Sequence, residues 1–147
     1  MGCALTRRSR PELRFSQLAG VVHTRVGYTG GSTERPTYGS VCGNDGHTEA
    51  LRVSFDPSII SYAALLRHFF EEHNPQRKSH KAQYKSAVWW HSDAQEETLR
   101  AAVAELEALH GSVATTLAPA QAWWDAEEHH QKYMEKQGWK RKLRDGA

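Results

Sequence analysis

Tyr38 and Glu49 stand eleven positions apart, with a glycine-rich loop between them, and Tyr84 supplies another phenol further along. A carboxyl held among aromatics, away from water, can keep a proton near neutral pH and act as a general acid. Phenols beside it can donate hydrogen bonds to an oxygen that gains negative charge. Taken alone, the same residues also fit an edge-strand Glu with two tyrosines half inside a core. A thiol is the third participant such chemistry could use, and the chain has two, Cys3 and Cys42. They form no Cys-x-x-Cys pair, which excludes a thioredoxin-like dithiol site. Cys42 reads first as a small, partly buried side chain and second as a substitute nucleophile. His129 and His130 adjoin, but no His-Glu-x-x-His or cysteine cluster accompanies them, so no metal site is expected.

The elements that must position these residues follow from periodicity and punctuation. Residues 1–10 are polar, basic and aperiodic, which predicts disorder. Pro11 suits the first turn of a short helix over Glu12–Leu18, ended by Gly20. Val21–Tyr28 reads as a strand stopped by Gly30 and Gly31. Residues 32–48 form a polar loop of a length usually reserved for function. Glu49–Phe55 is a second strand, closed by Asp56 and Pro57. Ser61 caps a helix whose Tyr62, Leu65, Leu66 and Phe69 recur at helical spacing, ended by Asn74 and Pro75. Tyr84–Trp90 is a third strand. Ser92 to Gln95 has capping-box spacing and opens a helix with Leu99, Val103, Leu106 and Leu109 on one stripe, stopping at Gly111. Val113–Leu117 reads as a fourth strand and Gln121–Lys136 as a last helix. The order predicts an α+β, ferredoxin-like sandwich whose usual opening strand is missing.

With 147 residues, 39% of them apolar and 24% charged, the chain is expected to form one domain with a substantial core. A net charge of +2 does not call for nucleic acid. Basic residues bunch at both ends, as solvated tails do. The apolar runs are too short for a membrane-spanning helix, so no stable membrane insertion is expected. Two cysteines suit a reducing compartment, and the cytoplasm is the expected one. Met1 to Gly20 lacks the apolar core of a signal peptide. Met1-Gly2-Cys3-Ala4-Leu5-Thr6 fits the myristoylation pattern, with Cys3 available for a second acyl chain.

Five separated pieces carry a resemblance to a known family: Gly20-Val21-Val22 with Val26 to Gly31, Pro36-Thr37-Tyr38 with Val41-Cys42, Gly46-His47-Thr48-Glu49, Gln83 to Ala87, and Trp123 to Gln131. In that order they resemble the A-type peptide methionine sulfoxide reductases. The resemblance implies a ferredoxin-like α/β sandwich, with a reductase domain over residues 11–137 and a basic tail over 138–147. It implies reduction of methionine-S-sulfoxide, free or protein-bound, to methionine. Thioredoxin or another thiol would be the reductant, no cofactor would be needed, and the chain would be a monomer. Glu49 would be the acid, and Tyr38 and Tyr84 would donate hydrogen bonds to the sulfoxide oxygen. His47, Trp124 and His130 would belong to the substrate pocket.

Several positions depart from the family pattern. A Gly-Cys-Phe-Trp segment carries the family's nucleophile, with a Glu five residues after the Cys. If Glu12 is that Glu, Arg7 stands at the nucleophile and Arg8 and Ser9 at the aromatic positions that hold the methyl group. A guanidinium is a permanent cation with no nucleophilic electrons. Cys3, four residues upstream, is then the candidate nucleophile, with neighbouring arginines to favour its thiolate. It would need four residues looped out, and on a mobile tail it would react non-specifically. The family often has Cys at the Cys42 position without catalytic use. Ser79 replaces a common Asp and Lys81 a Gly. No Cys follows Cys42, so a sulfenic acid would have to be reduced directly by an external thiol. The abrupt return of family-like sequence at Pro11 suggests an alternative or misassigned first exon. A chain without its central strand is expected to leave sheet edges unpaired and to be less stable. Three other readings follow: a non-catalytic module that binds oxidised methionine, a truncated inactive homologue, and a membrane-tethered or acidic-partner protein using Gly2, Cys3 and the arginines.

Overall fold

The computed structural model of the chain describes residues 2–6, 11–79 and 81–131. The strand β3, Thr48–Phe55, is buried from both sides. Leu51, Val53 and Phe55 enter the larger core on one face, while Ala50 enters a smaller cluster on the other. A strand buried on both faces belongs inside a sheet. It is flanked by β2, Val21–Thr29, and β1, Gly2–Thr6, both antiparallel to it. Beyond β1 come β4, Ala87–Trp90, and β5, Thr116–Pro119, which is parallel to β4. Beyond β2 comes β6, Trp124–Asp125. The order across the sheet is β5-β4-β1-β3-β2-β6.

Among the described residues four α-helices accompany the sheet: α1, Pro11–Ser16, α2, Tyr38–Cys42, α3, Tyr62–Glu71, and α4, Asp93–His110. The stripe Tyr62, Leu65, Leu66, Phe69 and Phe70 of α3 and Leu99 and Val103 of α4 seal the larger core with Phe15 of α1. Both long helices start as their sequences dictate. Ser61 Oγ accepts from the Ala64 N–H at 3.1 Å, and Ser92 Oγ from the Gln95 N–H at 3.2 Å. None of the described helices is long and apolar enough to cross a membrane.

The opposite face is paved with small residues, Ala4, Ala50, Ala87 and Ala118, against which Trp89 and Trp123 pack. Gly27 is required there: a Cβ on it would lie 2.3 Å from the Trp123 ring. The Arg52 guanidinium covers the same ring, 4.9 Å from its centroid.

Two expectations are corrected. The opening strand is present, because β1 fills the place between β3 and β4 and residues 2–6 are ordered into the sheet. Ala4 is 3% and Leu5 1% exposed, one on each face. A five-residue strand buried on both faces shows no alternation of polar and apolar residues, so periodicity could not reveal it. With β1 in place, the predicted unpaired edges inside the sheet do not arise. The last helix over Gln121–Lys136 is replaced, within the described residues, by β6 and a 3-10 turn, Glu128–His130. Tertiary contacts override helical spacing: Gly27 and Tyr28 take Asp125 and Trp124 as partners, and the Ala126 N–H donates to Val26 O at 3.0 Å. Residues 7–10, with Arg7, Arg8 and Ser9, and the tail 138–147 lie outside the described residues.

Three smaller differences follow from local chemistry. The long loop holds the short helix α2, the third strand begins at Ala87 after a 3-10 turn, Ala82–Tyr84, and the fourth begins at Thr116. Gln131 extends the sheet with its side chain. Its Oε1 accepts from Val26 N–H at 2.8 Å, and its Nε2 donates to Val26 O at 2.8 Å and Ala126 O at 3.0 Å. Gln131→Ala leaves the buried Val26 N–H without that acceptor and is expected to cost about 2 kcal/mol, read as a lower urea midpoint at unchanged slope.

Candidate active site

The short helix α2 is set by its own first turn. Thr37 Oγ1 accepts from the Ser40 N–H at 3.1 Å, and Ser40 Oγ accepts from the Thr37 N–H at 2.9 Å. Ser40 Oγ also donates to Asp45 Oδ2 at 2.8 Å, tying the helix to the loop that follows. Val41 is fully buried and roots α2 in the core. Tyr38 and Cys42, four residues apart, therefore share one face of α2.

Glu49 is 7% exposed and lies on β3 directly opposite Tyr28 of β2. Tyr28 is fully buried, and its phenol donates to Glu127 Oε2 at 2.7 Å. Burial, that hydrogen bond and the charges of Glu127, Glu49 and Cys42 all push the Tyr28 pKa up, so the phenol stays a donor. The other oxygen of Glu127 accepts from the Tyr38 N–H at 2.9 Å. One carboxylate thus binds the strand behind the site and the helix in front of it.

The phenol of Tyr38 has its pKa raised first by a hydrogen bond with Cys42, then by the charge on Cys42, by burial, and by Glu49 and Tyr84. Glu49 and Tyr84 thus lie near enough for their charges to act on the Tyr38 phenol, with Cys42 on the same helix face and Tyr28 paired with Glu49 across the sheet. Tyr38 and Tyr84 are 40% and 44% exposed and form the open side of the cluster. Tyr84 ends the 3-10 turn, which is pinned from beneath: Thr48 Oγ1 donates to Ala82 O at 2.8 Å, and the Ala82 N–H donates to Asn44 Oδ1 at 3.4 Å. Gln83, within that turn, is buried and donates from Nε2 to Cys42 Sγ at 3.3 Å. Ser79 spends its hydroxyl locally, donating to Lys81 O at 3.1 Å.

The remaining candidates take different places. The ring of His130 packs on Tyr38, centroids 4.5 Å apart, and His129 on His130 at 4.1 Å. Trp124 pairs through its backbone with Tyr28 at the sheet edge. His47 is fully buried against the Gly31 backbone, its Nδ1 3.2 Å from Asp45 Oδ1 and 3.4 Å from Thr33 Oγ1. It braces the loop from inside, with its ring enclosed. Burial pushes the Asp45 pKa up, but hydrogen bonds from the His47 N–H and Ser40 hydroxyl, with His47 itself, bring it below its ordinary value.

Cys3 stands apart from this cluster along the backbone. The register sets Cys3 opposite Val53, four residues along β3 from Glu49. At strand spacing that is about 14 Å, at the far end of β1 from the cluster. Among the described residues, no group of three or more His, Cys, Asp or Glu side chains could hold a metal ion. Tyr28, Gln83 and Glu127 carry much of this site and were not singled out from the sequence. Tyr28 and Glu127 lie ninety-nine residues apart, and no spacing rule links them.

A buried carboxyl, two partly open phenols and a thiol in one cluster can donate a proton to, and hold, an oxygen leaving an electrophilic centre. Comparison with known proteins points the same way. A family profile described as peptide methionine sulfoxide reductase matches residues 11–144. The chain is 44% identical over 136 residues to peptide methionine sulfoxide reductase MsrA of Methanosarcina mazei, covering 86% of this chain and 64% of that relative's length. Its fold is similar to reduced Mxr1 of Saccharomyces cerevisiae, with a TM-score of 0.82 at 27% identity over 92% of this chain and 84% of that one. It is also similar to Mxr1 in a complex with Trx2, with a TM-score of 0.65 at 25% identity over 87% of this chain and 81% of that one. The chain belongs to the peptide methionine sulfoxide reductase family.

Proposed function

We propose that the protein reduces the S epimer of methionine sulfoxide, free or within proteins, to methionine at the expense of thiols. The observation that carries this reading is the convergence of Glu49, Tyr38 and Tyr84. Oxide is a poor leaving group, so the sulfoxide oxygen must be protonated as its bond to sulfur breaks; Glu49 donates that proton. Tyr38 and Tyr84 hold the oxygen while charge develops on it. His130 and Trp124 shape the surroundings of Tyr38 and Tyr28. The catalytic unit comprises residues 11–137 together with β1. A thioredoxin-type dithiol supplies the electrons, a reading supported by the complex of Mxr1 with Trx2. Such a partner stays reduced in a compartment like the cytoplasm.

A second reading rests on Arg7, which stands at the family's nucleophile position if Glu12 is the Glu that follows it: the pocket binds oxidised methionine and does not turn it over. Both are tested with the purified chain, excess dithiothreitol and separated S- and R-sulfoxide peptides. Loss of the S epimer alone is expected. Binding of the S epimer without loss favours the second reading, and binding of neither epimer overturns both.

A further inference from the structure

The proposed reaction needs a sulfur nucleophile, and with Glu12 taken as the family's Glu the position that supplies it is Arg7 here. Cys3 sits in β1 at the wrong end for Glu49. Cys42 lies in the cluster, half-buried, so a ligand can reach it. One donor grips its sulfur: Gln83 Nε2 lies 3.3 Å away, and Tyr38 stands one helical turn before it on the same face of α2. A second observation concerns the other arm of that amide. Gln83 is 1% exposed, and its Oε1 has no hydrogen-bond partner among the described residues. A buried carbonyl without a donor is costly and is rarely left so. Since the same carboxamide grips the Cys42 sulfur, a hydroxyl carried on that sulfur is the donor the site lacks.

We infer that Cys42 is the reactive thiol of this pocket, which removes the oxygen from methionine-S-sulfoxide and holds it as a sulfenic acid whose O–H bonds to Gln83 Oε1. The inference rests on the reductase reading and names the residue that completes it. In the step, the Cys42 thiolate attacks the sulfoxide sulfur as Glu49 passes a proton to the oxygen. The attack forms a bond between the two sulfurs; that bond and the sulfur–oxygen bond of the sulfoxide then break as the protonated oxygen passes to the Cys42 sulfur. The substrate sulfur gains two electrons and leaves as the thioether; the Cys42 sulfur loses two. An external dithiol such as dithiothreitol then reduces the sulfenic acid, releasing water and restoring the thiol.

The test uses the full chain, the S- and R-sulfoxide peptides and dimedone, a trap for sulfenic acids, followed by peptide mapping. The S epimer alone is expected to label Cys42. Cys42→Ser is expected to lose the label and to lower turnover with dithiothreitol by at least about 100-fold. Retained affinity of that variant for the S epimer shows that it is folded. Cys3→Ser is expected to keep both label and turnover. A label on Cys3, turnover surviving in Cys42→Ser, or wild-type binding of the S epimer with no label overturns the inference while leaving the pocket reading standing. Binding of neither epimer by the wild type overturns both.

Discussion

On the proposed reductase reading, Glu49→Gln is expected to lower kcat for methionine-S-sulfoxide by about 10²–10⁴-fold and to leave affinity for the sulfoxide within a few-fold. The replacement keeps the shape and the hydrogen-bonding reach of a side chain that is 7% exposed. It removes only the acidic proton, because an amide N–H is far too weak an acid to protonate a departing oxide. If Tyr38 and Tyr84 hold the oxygen as proposed, they still do so in this variant, and the loss falls on the chemical step. Steady-state rates with excess dithiothreitol and direct titration with the sulfoxide separate the two effects. A kcat within threefold of wild type would remove Glu49 from the chemistry and leave it a buried strand residue beside Tyr28.

The second large effect is expected at Glu127. Glu127→Ala leaves the buried Tyr28 hydroxyl and the Tyr38 N–H without their shared acceptor. Two bonds to a charged group and one stranded hydroxyl amount to about 3 kcal/mol, allowing for the partial solvent exposure of the carboxylate. Turnover should fall as well, by about tenfold, because the start of α2 is no longer held where Tyr38 meets Glu49. Glu127→Gln is milder. Its oxygen accepts from the Tyr38 N–H, and the Tyr28 hydroxyl can turn to accept from the new N–H₂.

The pH dependence separates charge from shape. Burial pushes the Glu127 pKa up, but hydrogen bonds from the Tyr38 N–H, its own backbone N–H and the Tyr28 phenol, with His130 nearby, hold it below its ordinary value. A carboxylate whose folded pKa lies below its unfolded value stabilises the fold fully above the latter and loses that contribution as pH falls through the former. The gap between wild type and Glu127→Gln should be present at neutral pH and fade below about pH 4 in urea titrations. A gap that widened on acidification would contradict this.

Local chemistry is where the sequence was most legible. Ser61, Ser92, Gly111 and the apolar stripes of α3 and α4 are read by interactions within one or two turns, and they lie in the structure where those signals put them. Tyr38, Glu49 and Tyr84 were recognisable through short motifs, and those segments converge. What spacing could not reveal was any pairing between distant backbones. β1 is a strand because β3 and β4 offer it hydrogen-bonding edges on both sides, whatever its side chains advertise. Trp124 and Asp125 joined the sheet because β2 had an edge to cover, although their segment carries helical spacing.

The α+β class, the caps and stripes of the long helices, and the choice of Glu49, Tyr38 and Tyr84 as candidates were legible without coordinates, because each depends on near neighbours or on a motif. Only the tertiary structure decided that Cys3 lies about 14 Å along the sheet from Glu49. It also decided that His47 braces a loop, and that Cys42, Gln83, Tyr28 and Glu127 surround the pocket. Those outcomes depend on strand register and on side chains many tens of residues apart, and a register shift of one residue turns every side chain of a strand to the other face.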